Sequence, residues 1–269
     1  MTQSLHQPVG NNSVRCLQFG TGARLMVCFH GFGDDAASFN VLEPSLKERY
    51  TVVSVDLPFH GETNWKAGEP FAPEQAMALV DDLMKRHNVN KVSLAAFSIG
   101  GKVALKVFET DPVKVEELWL FAPDGLKNNV WYDLAVYPAW GRALFRWLLN
   151  RPKVLVFAVR VCKRLGAIPE SFGQFLETSL RTPEARERVW NTWLGIRGFE
   201  VPYRRLQKIL RANKTTCHVI MGKHDAVIKP YVGRRFVEGI PNAHLHVIPK
   251  GHYLLKPYLN EVIKTILHE

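Results

Sequence analysis

Short apolar segments alternate with longer amphipathic segments along most of the chain. Such alternation is typical of a parallel sheet covered by helices, because buried parallel strands are short and continuously apolar. The predicted strands are Leu25–Phe29, Thr51–Val55, Lys91–Phe97, Glu117–Phe121, Cys217–Met221 and His244–Ile248, with an antiparallel strand Ser13–Phe19 at one edge. The predicted helices are Ser38–Arg49, Pro73–Asn88, Gly101–Asp111, Pro230–Glu238 and Leu254–His268. We therefore predict an α/β fold, with a mostly parallel central sheet and helices on both faces.

The alternation is interrupted once, between Pro123 and Thr215, where no segment has the pattern of a strand. Helical periodicity there places one set of apolar residues on one face and Arg142 and Arg146 on another. The apolar set is Trp140, Ala143, Leu144, Trp147 and Leu148. We predict a core formed by residues 1–126 and 215–269, and an inserted helical cap at residues 127–214 that sits over one end of the sheet.

Composition supports an ordinary globular chain. The 269 residues are 46% hydrophobic and 22% charged, which excludes disorder, collagen and coiled coil. The longest apolar run, Val154–Cys162, contains Arg160 and is far shorter than a bilayer span of roughly 20 residues. No secretory signal is evident, and the four cysteines lack the paired spacing of a disulfide framework or a zinc site. We expect the four cysteines to be free thiols in the core of a cytoplasmic protein.

The net charge of +10 is unevenly distributed. Residues 127–214 hold 17 Lys and Arg against 6 Asp and Glu, or +11, whereas the remainder sums to −1. Three interpretations stay open: a solvated basic face with the aromatic side chains packed between cap and core, peripheral contact of Tyr137–Leu165 with an anionic membrane, or recognition of an acidic carrier or coenzyme thioester. Nucleic acid is not expected as a partner, because no recognition motif accompanies the basic residues.

A candidate nucleophile lies directly after the Lys91–Phe97 strand. Ser98 stands between Ala96 and Gly100, at a turn from a strand into a helix. Small residues two before and two after a serine let strand and helix approach closely, and the sharp turn exposes the hydroxyl. Ala96 occupies the first position of the usual Gly-x-Ser-x-Gly pattern, which is a departure from it.

The sequence HGFG directly follows the first predicted parallel strand. Glycines on both sides of Phe32 allow a loop whose backbone N–H points inward, and the N–H of Ile99 would supply a second donor to the same oxygen. Two convergent donors are what an oxyanion hole requires. We interpret His30 as a buried imidazole that holds the loop, and Asp34 and Asp35 as turn or helix-capping residues.

Two further polar residues follow the last two predicted strands. Asp225 lies after Cys217–Met221, and His252 after His244–Ile248. A serine hydroxyl is a weak nucleophile without a base, and His252 would take its proton while Asp225 orients the imidazole. Asp124, which follows the preceding strand, is an alternative acid, although we favour Asp225 and expect Asp124 to brace the start of the insertion.

Several motifs together resemble the α/β-hydrolase fold superfamily, in which the triad follows the order Ser, Asp, His. The motifs are HGFGDD at 30–35, DLPFHGET at 56–63, AFSIGG at 96–101, FAPDG at 121–125, GKHDAVIKP at 222–230 and GH at 251–252. The resemblance implies Ser98 as nucleophile, Asp225 as acid, His252 as base, and Phe32 and Ile99 as oxyanion donors. It also implies a structural turn at 56–61, where Phe59 stands in place of the glycine of many relatives.

The predicted function is hydrolysis of a carboxylic ester with a hydrophobic acyl group, through an acyl-enzyme. A thioesterase or a carbon–carbon bond hydrolase would use the same residues, and a ligand-sensing signalling protein would keep the fold with little turnover. No cofactor is expected. Histidines 218, 224, 244 and 246 lack a third ligand at a fitting spacing, so we expect no metal site.

Overall fold

Eight strands form a single sheet in the computed structural model, which describes residues 2–127, 129–168, 173 and 180–268. The strands are β1 (Gln3–Val9), β2 (Asn12–Phe19), β3 (Arg24–Phe29), β4 (Tyr50–Val55), β5 (Val92–Phe97), β6 (Val115–Phe121), β7 (Thr216–Gly222) and β8 (Ala243–Ile248). Their order is β1-β2-β4-β3-β5-β6-β7-β8. Pairing is parallel from β4 to β8, and antiparallel for β1 with β2 and β2 with β4. The predicted α/β class is confirmed.

Helices lie between most of the strands along the chain. They are α1 (Glu43–Leu46), α2 (Pro73–Arg86), α3 (Gly100–Thr110), α4 (Val130–Val136), α5 (Ala139–Leu149), α6 (Pro152–Arg164), α7 (Pro183–Gly195), α8 (Tyr203–Ala212), α9 (Pro230–Val237) and α10 (Leu259–His268), with 3-10 helices at Ala36–Leu42 and Arg197–Phe199. Among the described helices, none is long and apolar enough to cross a membrane.

Alternate residues of a strand serve the two faces, as β7 illustrates. Ile220 belongs to a buried cluster with Leu259 and Ile263 of α10 on one side of the sheet. Val219 and Met221 point the other way, where Gly233 of α9 packs so closely that a Cβ would lie 2.9 Å from the Met221 side chain. The alternation of side chains along a strand thus builds two apolar layers, one on each face.

The chain divides into two compact units. The first comprises Met1–Lys66, Phe71–Lys127 and Gly198–Glu269 and contains the whole sheet. The helix α8 belongs to this unit as well. Its Gln207 side-chain amide donates a hydrogen bond to the Phe236 carbonyl, and its Arg205 forms an ion pair with Glu109. The boundaries of the predicted cap stay a prediction.

The second unit comprises Ala67–Pro70 and Asn128–Arg197, and the secondary structure described in it is helical. Aromatic contacts hold its helices together. The Tyr132 hydroxyl of α4 donates to the Trp193 carbonyl of α7, at 3.0 Å, and Phe145 of α5 stacks on the Trp193 ring. The predicted helical character of this segment therefore agrees with the structure.

Three sequence predictions need correction. The strand β2 is not the edge, because β1 pairs outside it. Residues 38–49 do not form one helix: Pro44 lacks an N–H, and the segment divides into a 3-10 helix and α1. The last helix begins at Leu259 rather than Leu254, since Pro257 disfavours the helical conformation in the residue before it.

Candidate active site

Ser98 lies at a strained turn between β5 and α3. Its φ of +50° falls in the left-handed region, which is costly for a residue with a side chain. The turn is held by its neighbours: the Ser98 N–H donates to the Phe121 carbonyl at 3.1 Å, and the Ser98 carbonyl accepts from the N–H groups of Gly101 and Asp124. The surrounding backbone thus imposes a conformation that presents the serine side chain at the end of the sheet.

Glycine is required two and three residues after this serine. A Cβ on Gly100 would lie 2.2 Å from the Phe29 carbonyl oxygen, and one on Gly101 would lie 2.6 Å from the Asp124 carbonyl oxygen. Both contacts are with backbone atoms, which cannot move aside without shifting a strand or a loop. On the other side of the serine, Ala96 is fully buried and its methyl group is accommodated, so the departure from glycine there leaves the turn intact.

His252 lies between the serine and a buried carboxylate. Its Nε2 is 3.1 Å from Ser98 Oγ, and its Nδ1 is 2.7 Å from Asp225 Oδ2. The loop that carries His252 reaches this position because Gly222 has no side chain: a Cβ there would lie 2.2 Å from the Gly251 carbonyl oxygen. Three residues that are far apart in the sequence therefore form one hydrogen-bonded chain.

The Asp225 carboxylate is fully buried and each of its oxygens has a partner. Oδ1 accepts from the N–H groups of Val227 and Ile228, both at 2.8 Å, which leaves Oδ2 for the imidazole. This arrangement fixes the side chain and favours a proton on His252 Nδ1, with the Nε2 lone pair directed at Ser98.

Asp124, the alternative acid, has a different environment. Its Oδ1 accepts from the N–H of Gly125, at 2.8 Å, and its own N–H donates to the Ser98 carbonyl, at 2.7 Å. The structure brings Asp225, not Asp124, against the imidazole. Asp124 instead braces the turn that carries the serine, whereas the sequence led us to expect that it braces the start of the insertion.

The two candidate oxyanion donors lie on adjacent elements. The strand β3 is the neighbour of β5, with Phe29 paired to Ala96, so the loop containing Phe32 begins beside the serine turn. Ile99 precedes α3, and the N–H groups at the start of a helix have no acceptor within it. Gly31 is needed here, because a Cβ would lie 2.7 Å from the Phe97 ring.

A buried imidazole holds this loop, as predicted. His30 Nδ1 donates to the Gly31 carbonyl and Nε2 accepts from the Leu57 N–H, at 2.7 and 3.0 Å. Burial lowers the pKa of His30 to about 4, so the ring is neutral, as an accepting Nε2 requires.

Asp56 ties the same loop to the next one. Its carboxylate accepts from Arg15 Nε and from the N–H groups of Ala36 and Glu62. Burial alone would raise the pKa of Asp56, but the guanidinium and the N–H donors outweigh burial and lower it. Phe59, at the position where the resemblance to the family implies glycine, adopts a φ of +68°, a conformation that glycine would enter without strain.

Sequence reasoning missed a contact between two of these loops. The Tyr253 hydroxyl donates to Asp34 Oδ1 at 2.9 Å and links the residue after His252 to the HGFG loop. Burial raises the pKa of Asp34, whose Oδ2 is buried without a partner among the described residues. The Phe97 ring packs against both His252 and Tyr253. The only signal in the sequence was the position of Tyr253 beside the predicted base.

His218, His244 and His246 lie on the neighbouring strands β7 and β8 and pack with one another. The His218 ring contacts Trp119 at 4.4 Å and His244 at 5.5 Å between centroids. Burial and the neighbouring histidines lower the pKa of His218 to about 4. In the described part of the chain, no group of three or more His, Cys, Asp or Glu is arranged to hold a metal ion.

Comparison with known proteins gives a match over most of the chain. The profile described as "Alpha/beta hydrolase family" matches residues 26–258. An uncharacterized protein of Mycobacterium tuberculosis is 29% identical over 169 residues, which cover 60% of this chain and 48% of that protein. The chain thus spans about half the length of this curated relative.

Two further similarities extend over nearly the whole chain. The uncharacterized hydrolase YugF of Bacillus subtilis is 21% identical over 247 residues, which cover 90% of this chain and 88% of that protein. The solved structure of a thermophilic esterase from Thermogutta terrifontis is similar with a TM-score of 0.69 and 19% identity, over 99% of this chain and 97% of that chain. At this identity the structural similarity establishes the fold alone.

Proposed function

Because the chain belongs to the alpha/beta hydrolase family, we propose that it is a serine hydrolase that cleaves a carboxylic ester of a hydrophobic acyl group. One observation carries the proposal: Ser98, His252 and Asp225 form a continuous hydrogen-bonded chain. The fold is one that a thermophilic esterase also has, so an ester substrate is compatible with it.

In the proposed mechanism His252 Nε2 accepts the proton of the Ser98 hydroxyl as Oγ attacks the ester carbonyl. Asp225 holds the proton on Nδ1 and stabilises the imidazolium that forms. The N–H groups of Phe32 and Ile99 donate to the oxyanion of the tetrahedral intermediate. The imidazolium then protonates the leaving alcohol, and the acyl group remains on Ser98.

Water completes the reaction by the same steps. His252 removes a proton from the attacking water, the tetrahedral intermediate forms again in the oxyanion hole, and Ser98 leaves with its proton restored. The strained φ of Ser98 supports this role, because backbone strain of this kind is retained where the neighbouring structure fixes a reactive side chain.

The first test is labelling with a fluorophosphonate, which reacts only with an activated serine. We expect a single adduct on Ser98, and kcat of Ser98→Ala to fall by roughly 10³-fold or more. Near-normal ester hydrolysis by Ser98→Ala would exclude the mechanism.

The substrate class is tested with p-nitrophenyl esters of increasing chain length, beside acyl-coenzyme A thioesters. A rise in kcat/KM with acyl length supports a hydrophobic acyl ester, and preference for thioesters would move the assignment to a thioesterase. A ligand sensor would label slowly and turn over none of these substrates.

A further inference from the structure

The helices α5 and α6 carry apolar side chains on their solvent side. Of the large hydrophobic residues described as exposed, most lie between Val130 and Leu165. On α5 Trp140 is 62% exposed, and Leu144 and Trp147 share its side of the helix; on α6 and just after it, Phe157 is 69% and Leu165 77% exposed. Large apolar side chains are seldom clustered on the exposed surface of a protein, so such a cluster indicates a surface that binds a partner.

These side chains are not the ones that hold the second unit together. The buried residues of α5 are Gly141, Phe145 and Leu149, and those of α6 are Leu155 and Val159. Each helix therefore has one apolar stripe for packing and a second one for the exterior. We call the second the α5/α6 face: Trp140, Leu144, Trp147, Val154, Phe157 and Leu165.

Basic side chains border this face. Residues 139–165 contain seven Lys and Arg and no Asp or Glu. Lys153, Arg160 and Arg164 are separated by seven and four residues along α6, so they lie on one side of the helix. This side is next to the exposed stripe of Val154 and Phe157.

Some of the arginines already have partners within the unit. Arg142 donates to the carbonyls of Val136 and Tyr137, and Arg146 pairs with Glu187 at 2.6 Å. Lys153, Arg160 and Arg164 have no hydrogen bond or ion pair with any described residue. These three cations are therefore available to an anionic partner.

We propose that the α5/α6 face docks on the surface of a bilayer that contains anionic phospholipids. The exposed apolar side chains enter the boundary between headgroups and acyl chains, while Lys153, Arg160 and Arg164 pair with lipid phosphates. A second copy of the chain fits less well, because it would bring two basic rows together without any acidic residue in either segment. This inference does not depend on the proposed reaction.

The test is co-sedimentation of the whole chain with vesicles of phosphatidylcholine alone or mixed with phosphatidylglycerol. We expect binding to the mixed vesicles only, weakened by salt. The combined change Lys153→Gln, Arg160→Gln and Arg164→Gln should weaken binding about 100-fold, since each cation near such a surface contributes about fivefold. Phe157→Ser, which alters no charge, should weaken it about tenfold.

A matched control removes three exposed lysines elsewhere, by Lys47→Gln, Lys91→Gln and Lys208→Gln, and should bind as the parent does. Ser98→Ala should also bind normally, which separates docking from catalysis. Equal loss in the two triple variants, or binding to phosphatidylcholine alone that Phe157→Ser leaves unchanged, would overturn the proposal. So would a dimer in light scattering that Phe157→Ser dissociates, because the face would then join two copies.

Discussion

Replacing Asp225 with Asn tests the proposed acid with almost no change in shape. The carboxylate has two different sides: Oδ1 accepts from the N–H groups of Val227 and Ile228, and Oδ2 faces His252 Nδ1. An Asn side chain has one oxygen and one NH2 group. Because only the oxygen accepts hydrogen bonds, the two backbone donors orient it toward themselves and turn the NH2 group toward the imidazole.

The consequence for catalysis follows from the tautomer of His252. With an NH2 donor opposite it, Nδ1 must accept a hydrogen bond, so the ring proton moves to Nε2. That nitrogen lies 3.1 Å from Ser98 Oγ and no longer has a lone pair for the serine proton. Loss of the correct tautomer lowers kcat by about 10⁴-fold in a triad of this kind, or about 5.5 kcal/mol of transition-state stabilisation.

Folding should hardly change, because the amide oxygen keeps both backbone hydrogen bonds. The assay is steady-state hydrolysis of a short p-nitrophenyl ester, with the melting temperature measured beside it. Asp124→Asn is the matched control: its carboxylate accepts from Gly125 and does not contact His252, so its kcat should stay within about threefold of the parent. A variant Asp225→Asn that keeps a tenth of the parent activity, or a loss confined to Asp124→Asn, would refute the assignment.

Three further changes test the parts that support this chain. Gly100→Ala should lower stability by about 2 kcal/mol or more and slow fluorophosphonate labelling, since its Cβ would lie 2.2 Å from the Phe29 carbonyl oxygen; unchanged melting would contradict the close approach. The pKa of His30 is about 4 in the folded protein and about 6.5 in the unfolded chain, so between these pH values only the unfolded chain binds the proton. The free energy of unfolding should therefore be highest above pH 6.5 and should fall by up to about 3 kcal/mol as the pH drops from 6.5 to 4. His30→Gln should reduce that dependence in urea titrations to the part contributed by His218, whose pKa is also lowered to about 4. An unchanged slope would mean that His30 does not contribute to it. Tyr253→Phe, which removes the donor to Asp34, should cost about 1 kcal/mol of stability and change kcat by less than tenfold; a larger loss of kcat would make Tyr253 part of the chemistry.

The central part of the fold was predictable because its signals are local. The six parallel strands were predicted as short apolar runs, and the candidate polar residues follow where these strands end. Ser98, His252 and the two candidate acids Asp225 and Asp124 could therefore be named from their positions. The close packing between segments that are distant in the sequence could not be predicted from local patterns. Gly222 makes room for the Gly251 backbone, a requirement that appears only once the two loops are adjacent.

The first strand was missed for a related reason. Gln3–Val9 contains Pro8 and few apolar residues, so it has neither the composition nor the continuity of a buried strand. It forms because Leu5 and Val9 are buried when it pairs with β2 across a tight turn that begins at Gly10, whose φ is +60°. The Gly10-Asn11 pair was the available signal, since this dipeptide is typical of two-residue hairpin turns.

For an amphipathic helix the sequence shows which residues share a face, but it does not show whether that face is buried or exposed. On α5 the sequence groups Trp140, Leu144 and Trp147, and large aromatic residues favour burial as the simplest interpretation. The structure buries Gly141, Phe145 and Leu149 instead, a stripe that contains a glycine and looks weaker in the sequence. Gly141 decides the direction: a Cβ there would lie 1.8 Å from the Leu134 carbonyl oxygen, so this side of α5 packs tightly against its neighbour. The tryptophans are left outside by that packing, and the absence of Asp and Glu from residues 139–165 is what makes an anionic surface the partner to test.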